Sequence, residues 1–251
     1  MMPITETAFA GKTVVITGAG RGIGHAVAGA FSQAGARVLA HSGRAGTAGL
    51  LDGLCADCFE ADFTQSEDVQ AFIDWTLGQT EQVDVLINNA GTMMGRFPAD
   101  SLSDDDYDAL VALNQTAVVK VTRGLIPALR KSDAGAIINT VSISALTGGS
   151  PGSSIYSATK AFVGTYTRAL ARELAPDGIR ANAVSPGTIE TDFHERYSSA
   201  EKLAATAKAV PLQRLGTPED CAPAYLFLAH PKLSGYITGQ TIEINGGQLI
   251  V

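Results

Sequence analysis

Basic charge, cysteine and long apolar runs are all scarce in this chain. Its 18 Lys and Arg stand against 25 Asp and Glu, a formal charge of −7. That balance leaves no basic footprint for phosphate backbones, so nucleic acid is not expected as a partner. No apolar stretch approaches the ~20 residues that cross a bilayer, and no membrane partner is expected either. The first twelve residues are polar and carry Glu6, unlike a signal peptide, so a cytoplasmic location is expected. Three cysteines cannot build a disulfide framework. Cys55 and Cys58 form a C-x-x-C, but a redox pair wants the start of a helix behind a strand, and a zinc site wants two further ligands. Cys221 is distant and no His pair has ligand spacing, so incidental thiols and no metal are expected.

Charged residues make up only 17% of the chain and hydrophobic ones 45%, which is apolar enough to exclude disorder. Short runs rich in β-branched residues alternate with helical patterns. The strand candidates are 13–17 (TVVIT), 37–41 (RVLAH), a third ending near Asp62, 83–89 (VDVLINN), 136–142 (AIINTVS), 179–185 and 241–245. Helical spacing runs from Ile23 to Ala34 and over about 66–80, 104–131, 155–175 and 217–229. Near-continuous Val/Ile strands separated by helices predict an α/β fold: one doubly wound domain over 1–251, with about seven parallel strands and helices on both faces. In such folds ligands bind beyond the carboxyl ends of the strands, and each motif below lies there.

The first strand runs into Thr17-Gly18-Ala19-Gly20-Arg21-Gly22-Ile23-Gly24. Gly18, Gly22 and Gly24 are spaced G-x-x-x-G-x-G, which departs from G-x-G-x-x-G but keeps its physics. Glycine permits the tight turn and lets backbone N–H groups approach a pyrophosphate at the helix N-terminus. An NAD site usually places an acid at the end of the second strand to hold the ribose 2′-hydroxyl. Here the chain reads His41-Ser42-Gly43-Arg44. Ser42 and Arg44, with Arg21 as a second cation, suit a 2′-phosphate, so NADP(H) is favoured and NAD(H) is the alternative. Asp62 and Phe63 are placed to flank the adenine.

Tyr156 and Lys160 sit four residues apart near the start of a helix and so share a face. A free phenol with a pKa near 10 is only ~0.1% ionised at pH 7. An ammonium within ~4–6 Å lowers that pKa by about 1–3 units, which would make the phenol a workable acid/base. Ser142 is expected to end the fifth strand and to point its hydroxyl at a substrate carbonyl. Asn88-Asn89-Ala90-Gly91 follows the fourth strand. Asn114 falls inside a predicted helix, where it costs stability without an evident structural return.

Taken together, TGAGRGIG (17–24), NNAG (88–91), Asn114, Ser142 and YSATK (156–160) resemble the short-chain dehydrogenase/reductase family. SPGTIET (185–191) and ITGQ…NGG (237–247) extend the likeness over nearly the whole chain, in the compact form that lacks an appended substrate domain. The resemblance implies hydride transfer between a nicotinamide and a carbonyl or secondary alcohol. It implies Tyr156 as proton donor or acceptor, and Lys160 as acidifier of Tyr156 and ligand of the nicotinamide ribose. Ser142 would orient the carbonyl and Asn114 would hold a relay water. Ile23, Asn89, Ala90, Gly91, Pro186, Gly187, Ile189 and Thr191 are implied as further cofactor contacts.

The stretch 188–216 resembles the family's variable lid over the substrate. Met93, Met94, Ser144 and His194 are the expected substrate contacts, with His194-Glu195-Arg196 as a polar cluster. A sugar, polyol or hydroxy acid is one substrate class and a 3-oxoacyl thioester the other. A nucleotide-sensing protein of the same fold without turnover is the remaining alternative. The apolar ending Gln248-Leu249-Ile250-Val251 suggests a subunit interface, and the family resemblance implies a homotetramer.

Overall fold

The computed structural model describes residues 7–43 and 46–251, with the backbone alone at 48 and 193–195. Seven strands form one parallel sheet in the order β3-β2-β1-β4-β5-β6-β7. They are β1 (Thr13–Ile16), β2 (Arg37–Ser42), β3 (Asp57–Glu60), β4 (Val85–Asn88), β5 (Ala136–Thr140), β6 (Arg180–Pro186) and β7 (Thr241–Ile244). Strand order reverses between β1 and β4, where Val14 pairs with Val85 and Ile16 with Ile87. A crevice must open at that point, because the chain leaves the two strands in opposite directions.

Side chains alternate across the sheet with period two. Val14, Ile16, Val85, Ile87 and Ile138 point to one face, and pack with Phe31 of α1 (Gly22–Gln33) and Tyr225 and Leu228 of α9 (Pro218–Ala229). Val15, Leu86 and Ile137 point to the other, against Phe72 of α2 (Ser66–Gln79), Leu125 of α4 (Ala117–Leu129) and Leu170 of α6 (Ser154–Glu173). Both faces are dry, which explains why these strands read as continuous apolar runs rather than alternating ones.

Two expectations are corrected. The helical pattern over 104–131 is interrupted: α3 (Asp104–Val111) and α4 are joined by a π-turn at Ala112–Thr116. Asn114 lies in that turn, fully buried. Its Nδ2 donates to Leu110 O at 3.0 Å and Thr92 O at 2.9 Å, while Oδ1 accepts from Thr92 N–H at 3.0 Å. The structural return missing from the sequence is this clamp on the loop after β4. The fifth strand ends at Thr140, so Ser142 lies two residues beyond the ladder.

The remaining elements are not apparent from periodicity. They are the α-helices α5 (Ser144–Thr147), α7 (Asp192–Tyr197), α8 (Ala200–Ala209) and α10 (Pro231–Ser234), with short 3₁₀ turns at Ala48–Leu51 and Ala175–Asp177; of these, α7 and α8 stand between β6 and α9. Among the described residues no helix is long and apolar enough to cross a membrane.

The buried Arg180 at the start of β6 closes the far end of α9. Its guanidinium donates to Leu228 O at 2.6 Å, Ala229 O at 3.1 Å and Ser234 O at 3.2 Å. Leu228 O and Ala229 O lie at the negative end of α9, which a fixed cation suits, and Ser234 O ends α10. Arg180→Met is expected to cost about 3 kcal/mol, read as a lowered urea midpoint, because it removes a buried charge-assisted donor from three carbonyls. Arg180→Lys, lacking the planar fork, should recover only part of the loss.

Candidate active site

The crevice at the strand ends has a volume of about 650 Å³ and runs from the glycine turn to α7. At one end Gly18 and Gly22 adopt φ of +68° and +54°, the left-handed region that favours glycine. A side chain on Gly18 would strike the Ala90 backbone at 2.7 Å, and one on Gly24 would strike Gly18 O. Gly24 therefore stands behind the crevice wall, letting α1 close onto the turn, while Gly18, Arg21, Gly22 and Ile23 face the cavity. The first turn of α1 carries no acidic residue, and Arg21 at its N-cap makes no capping bond through its side chain. The N–H groups and positive dipole end of this helix start suit a phosphate.

Thr17 and Asn89 hold the turn at a fixed distance from β4. Thr17 Oγ1 accepts from the N–H groups of Asn89 (3.0 Å) and Ala90 (3.1 Å). In return Asn89 Nδ2 donates to Thr17 O at 3.2 Å and Gly18 O at 3.0 Å. Behind them Asn88 donates to Asn139 Oδ1 at 2.8 Å and Thr122 Oγ1 at 2.9 Å, and Asn139 donates to Thr167 Oγ1 at 2.8 Å. Every buried amide in this ladder has partners, which makes the arrangement rigid.

His41 is a functional residue that the motifs do not single out. Its Nδ1 accepts from Gly18 N–H at 3.1 Å, which places the proton on Nε2, 2.9 Å from Ala61 O. The ring stacks on Phe63 with centroids 3.6 Å apart, and burial pulls its pKa down to about 4, so it stays neutral at pH 7. The neutral imidazole ties the glycine turn to the end of β3. A histidine at the end of the strand beside a glycine turn is the signal that points to it. Phe63, expected against the adenine, is buried and stacked on His41 yet lines the crevice, and Asp62 is exposed on its rim. Ser42 and Thr47 face each other through their hydroxyls, and both line the cavity. Arg44 lies outside the described residues. Arg21 pairs with Asp192 of α7 at 3.1 Å, bridging the crevice mouth.

At the other end α6 presents Tyr156 and Lys160 on one face, as the i, i+4 spacing requires. Both line the crevice together with Ser142 and Ser144. Lys160 is buried and donates from Nζ to Thr140 O at 2.8 Å. Ser142 Oγ accepts from Ser144 Oγ at 2.8 Å and Ser144 N–H at 3.2 Å, and shares a hydrogen bond with Tyr156.

One electrostatic expectation is reversed. Burial pushes the Tyr156 phenol up to about 12, against the opposing pull of the Ser142 bond. Burial likewise brings Lys160 down to about 8. The ammonium sits over the Tyr156 ring, 5.8 Å from its centroid, yet the phenol lies above its ordinary value and not below it as the spacing suggests. Desolvation is the largest cause for both groups, because burial takes water from whichever form is charged.

Asn89, Ala90, Gly91, Met93, Pro186, Gly187, Ile189 and Thr191 all line the crevice, whereas Met94 and Asn114 do not. Met94 adopts φ of +58°, turning the loop so that Met93 alone reaches the cavity. The His194 side chain lies outside the described part of α7. Thr92, Arg96, Tyr197 and Gln248 also line the cavity, and no motif marks them as a group. Thr92 Oγ1 and Tyr197 OH are 3.1 Å apart, and Gln248 bonds Thr188. The thiols play no part: burial and neighbouring charge push Cys58 up to about 12 and Cys55 up as well, the reverse of a reactive pair.

Comparison with known proteins agrees with this geometry. A family profile described as enoyl-(acyl carrier protein) reductase matches residues 18–248. A short-chain type dehydrogenase/reductase of Sinorhizobium fredii is 40% identical over 250 residues, covering 96% of this chain and 98% of its own. A 3-oxoacyl-[acyl-carrier-protein] reductase of Synechocystis sp. is 34% identical, with 97% of this chain and 99% of the relative aligned. Among solved structures, one from Beutenbergia cavernae superposes with a TM-score of 0.90 at 32% identity, over 98% of this chain and 99% of that one. It is described, provisionally, as an NAD(P)-dependent gluconate 5-dehydrogenase with bound NADP. End-to-end kinship of this depth, on a sheet whose order reverses at the glycine turn, makes the chain an oxidoreductase of the short-chain dehydrogenase/reductase family.

Proposed function

We propose that the protein interconverts a carbonyl and a secondary alcohol with NADP(H), and that Tyr156 moves the proton. The observation that carries this reading is Tyr156, Ser142 and Lys160 converging on one crevice wall, opposite an uncapped helix end fit for a phosphate. A bound nicotinamide supplies hydride chemistry, and the protein supplies placement and proton management.

The residues fit such a group. Gly18 and Gly22 leave the turn bare, Ile23, Asn89, Ala90 and Gly91 line the wall, and Pro186, Gly187, Ile189 and Thr191 line the facing side. Ser42 and Thr47 offer hydroxyls where an NAD site would carry an acid, which favours a 2′-phosphate. In the reduction direction the phenol is protonated at neutral pH and donates its proton to the carbonyl oxygen. Ser142, itself held by Ser144, holds that oxygen in place. Lys160, cationic below about 8, stabilises the phenolate left behind.

Gly91 has no side chain to come between Asn114 and Lys160: a Cβ there would lie 2.7 Å from Asn114 Oδ1 and 3.0 Å from Lys160 Nζ. Asn114 beside Lys160 is therefore assigned the relay-water role.

The segment over 188–216 acts as the substrate lid, latched by Arg21–Asp192 on one side and Thr92–Tyr197 on the other. Its polar latches favour a small polar substrate, with Met93 and Ser144 in contact and the His194 region above. The Synechocystis relative supports a second reading, a 3-oxoacyl thioester. Ile250 and Val251 are largely exposed in the single chain, which supports burial in a homotetramer.

Three measurements test the proposal. Tyr156→Phe should lower kcat about 10²–10⁴-fold while leaving the NADPH Kd unchanged; near-normal turnover would refute the proton path. The rate of carbonyl reduction should stay level from pH 6 to about 8 and then fall as Lys160 loses its proton, well before Tyr156 titrates. A rate still rising at pH 9 would contradict the assignment. NADPH should exceed NADH in kcat/KM by about tenfold or more, the value of one charge-assisted contact; a preference for NADH would reverse the cofactor choice.

A further inference from the structure

The substrate end of the crevice carries more positive charge than the reaction so far requires. Arg96, in the loop after β4, lines the cavity beside Thr92, Met93 and Tyr197. Its Nε and Nη2 donate to Tyr197 O at 3.0 and 2.7 Å, and its Nη1 donates to Pro151 O at 3.1 Å. Three of the five guanidinium N–H groups are thereby spent on neutral carbonyls. The plane is held between the end of α7 and the loop before α6, yet among the described residues no carboxylate pairs with it and two donors are not used. Lys202, in the first turn of α8, reaches Ser150 Oγ at 3.1 Å, and Ser150 also lines the cavity.

The surrounding charges do not cancel this pair. Among the described residues neither Arg96 nor Lys202 has a carboxylate within ion-pair distance. The one acid facing the crevice from the described part of α7 is Asp192, already shared between Arg21 at 3.1 Å and Arg196 at 3.9 Å. Glu201 turns back to its own helix start and Ser199. Partial desolvation and the neighbouring Arg96 both lower the Lys202 pKa, the mark of like charges held together. In a chain with a formal charge of −7, two neighbouring cations with no carboxylate partner among the described residues, at the rim of a reaction crevice, point to an anionic ligand.

We propose that Arg96 and Lys202 form an anion-recognition edge that selects a compact carbonyl substrate carrying a carboxylate, such as a keto sugar acid. This rests on the carbonyl-reduction reading of the same crevice. The two free guanidinium donors suit the carboxylate, since the fork geometry of arginine matches it and the plane is already ordered. Lys202 adds a point charge from across the Ser150 loop.

The test uses a matched pair, 5-keto-D-gluconate and L-sorbose, which share a carbon skeleton and differ by carboxylate against CH₂OH. Binding of each to the full-length protein, free and saturated with NADP⁺, is measured by calorimetry. The acid should bind about tenfold more tightly than the neutral ketose, as one charge-assisted contact warrants. Arg96→Gln and Lys202→Gln should each shrink that ratio several-fold while leaving L-sorbose binding unchanged, and Arg96→Lys should restore part of it. Lys202→Gln keeps the test sound if the Arg96 variants disturb the lid.

Indistinguishable binding of the two probes, measurable or not, overturns the proposal, as do variants that weaken both equally. Acetoacetyl-CoA that binds in an Arg96-dependent manner, with no acid preference in the matched pair, also overturns it and assigns the cations to a phosphate. Acid-selective binding without any NADPH-dependent reduction would leave the anion edge standing and refute the carbonyl-reduction reading instead.

Discussion

The exchange of hydrogen bonds between Thr17 and Asn89 is the constraint on which the site depends. Strand order reverses between β1 and β4, so the chain diverges there, and past the ladder bond from Thr17 N–H to Ile87 O at 3.0 Å the glycine turn meets the loop after β4 through side chains. The Thr17 hydroxyl accepts two backbone N–H groups from that loop, and the Asn89 amide returns two donors to the turn. The crevice is thus held open at one width by groups that are satisfied whether or not a ligand is present. The amides of Asn88 and Asn139 carry the same rigidity across to α4 and α6, and Tyr156 and Lys160 stand on α6.

Burial then sets the chemistry. Burial in the crevice wall disfavours charge on three of its groups, so Tyr156 is driven up, Lys160 down, and His41 to neutrality. For the Tyr156–Lys160 pair this spreads the two titrations apart, leaving a protonated phenol beside an ammonium that is easily discharged. Such a state favours proton donation, and a cofactor's charge would act on both groups at once. His41 shows the same principle serving structure: a neutral ring can accept from Gly18 and donate to Ala61, which an imidazolium could not do.

Much of the fold and of the site is legible in the sequence. The seven strand runs match the observed strands to within about two residues at most ends, because both faces of a parallel sheet are dry and the strands carry apolar residues almost without interruption. The glycine turn and the Tyr156/Lys160 spacing are equally plain, since each is set by local geometry. What misleads is anything that depends on a distant neighbour. Asn114 looks like a wasted polar residue because its partner, Thr92, lies 22 residues away. The pattern over 104–131 looks continuous because a π-turn adds one residue without disturbing composition. Ser142 reads as strand by its β-branched neighbours, while the ladder stops where β5 loses a partner strand.

The sequence by itself determined the order of the elements, the sheet class and the identity of most groups that face a ligand, because hydrophobic period and glycine spacing are local properties of a chain. Only the tertiary structure decided which way the pKa values move, which methionine reaches the cavity, and where the positive charge collects. Those outcomes depend on solvent exclusion and on contacts between segments far apart in the chain. Neither quantity exists until the chain has folded.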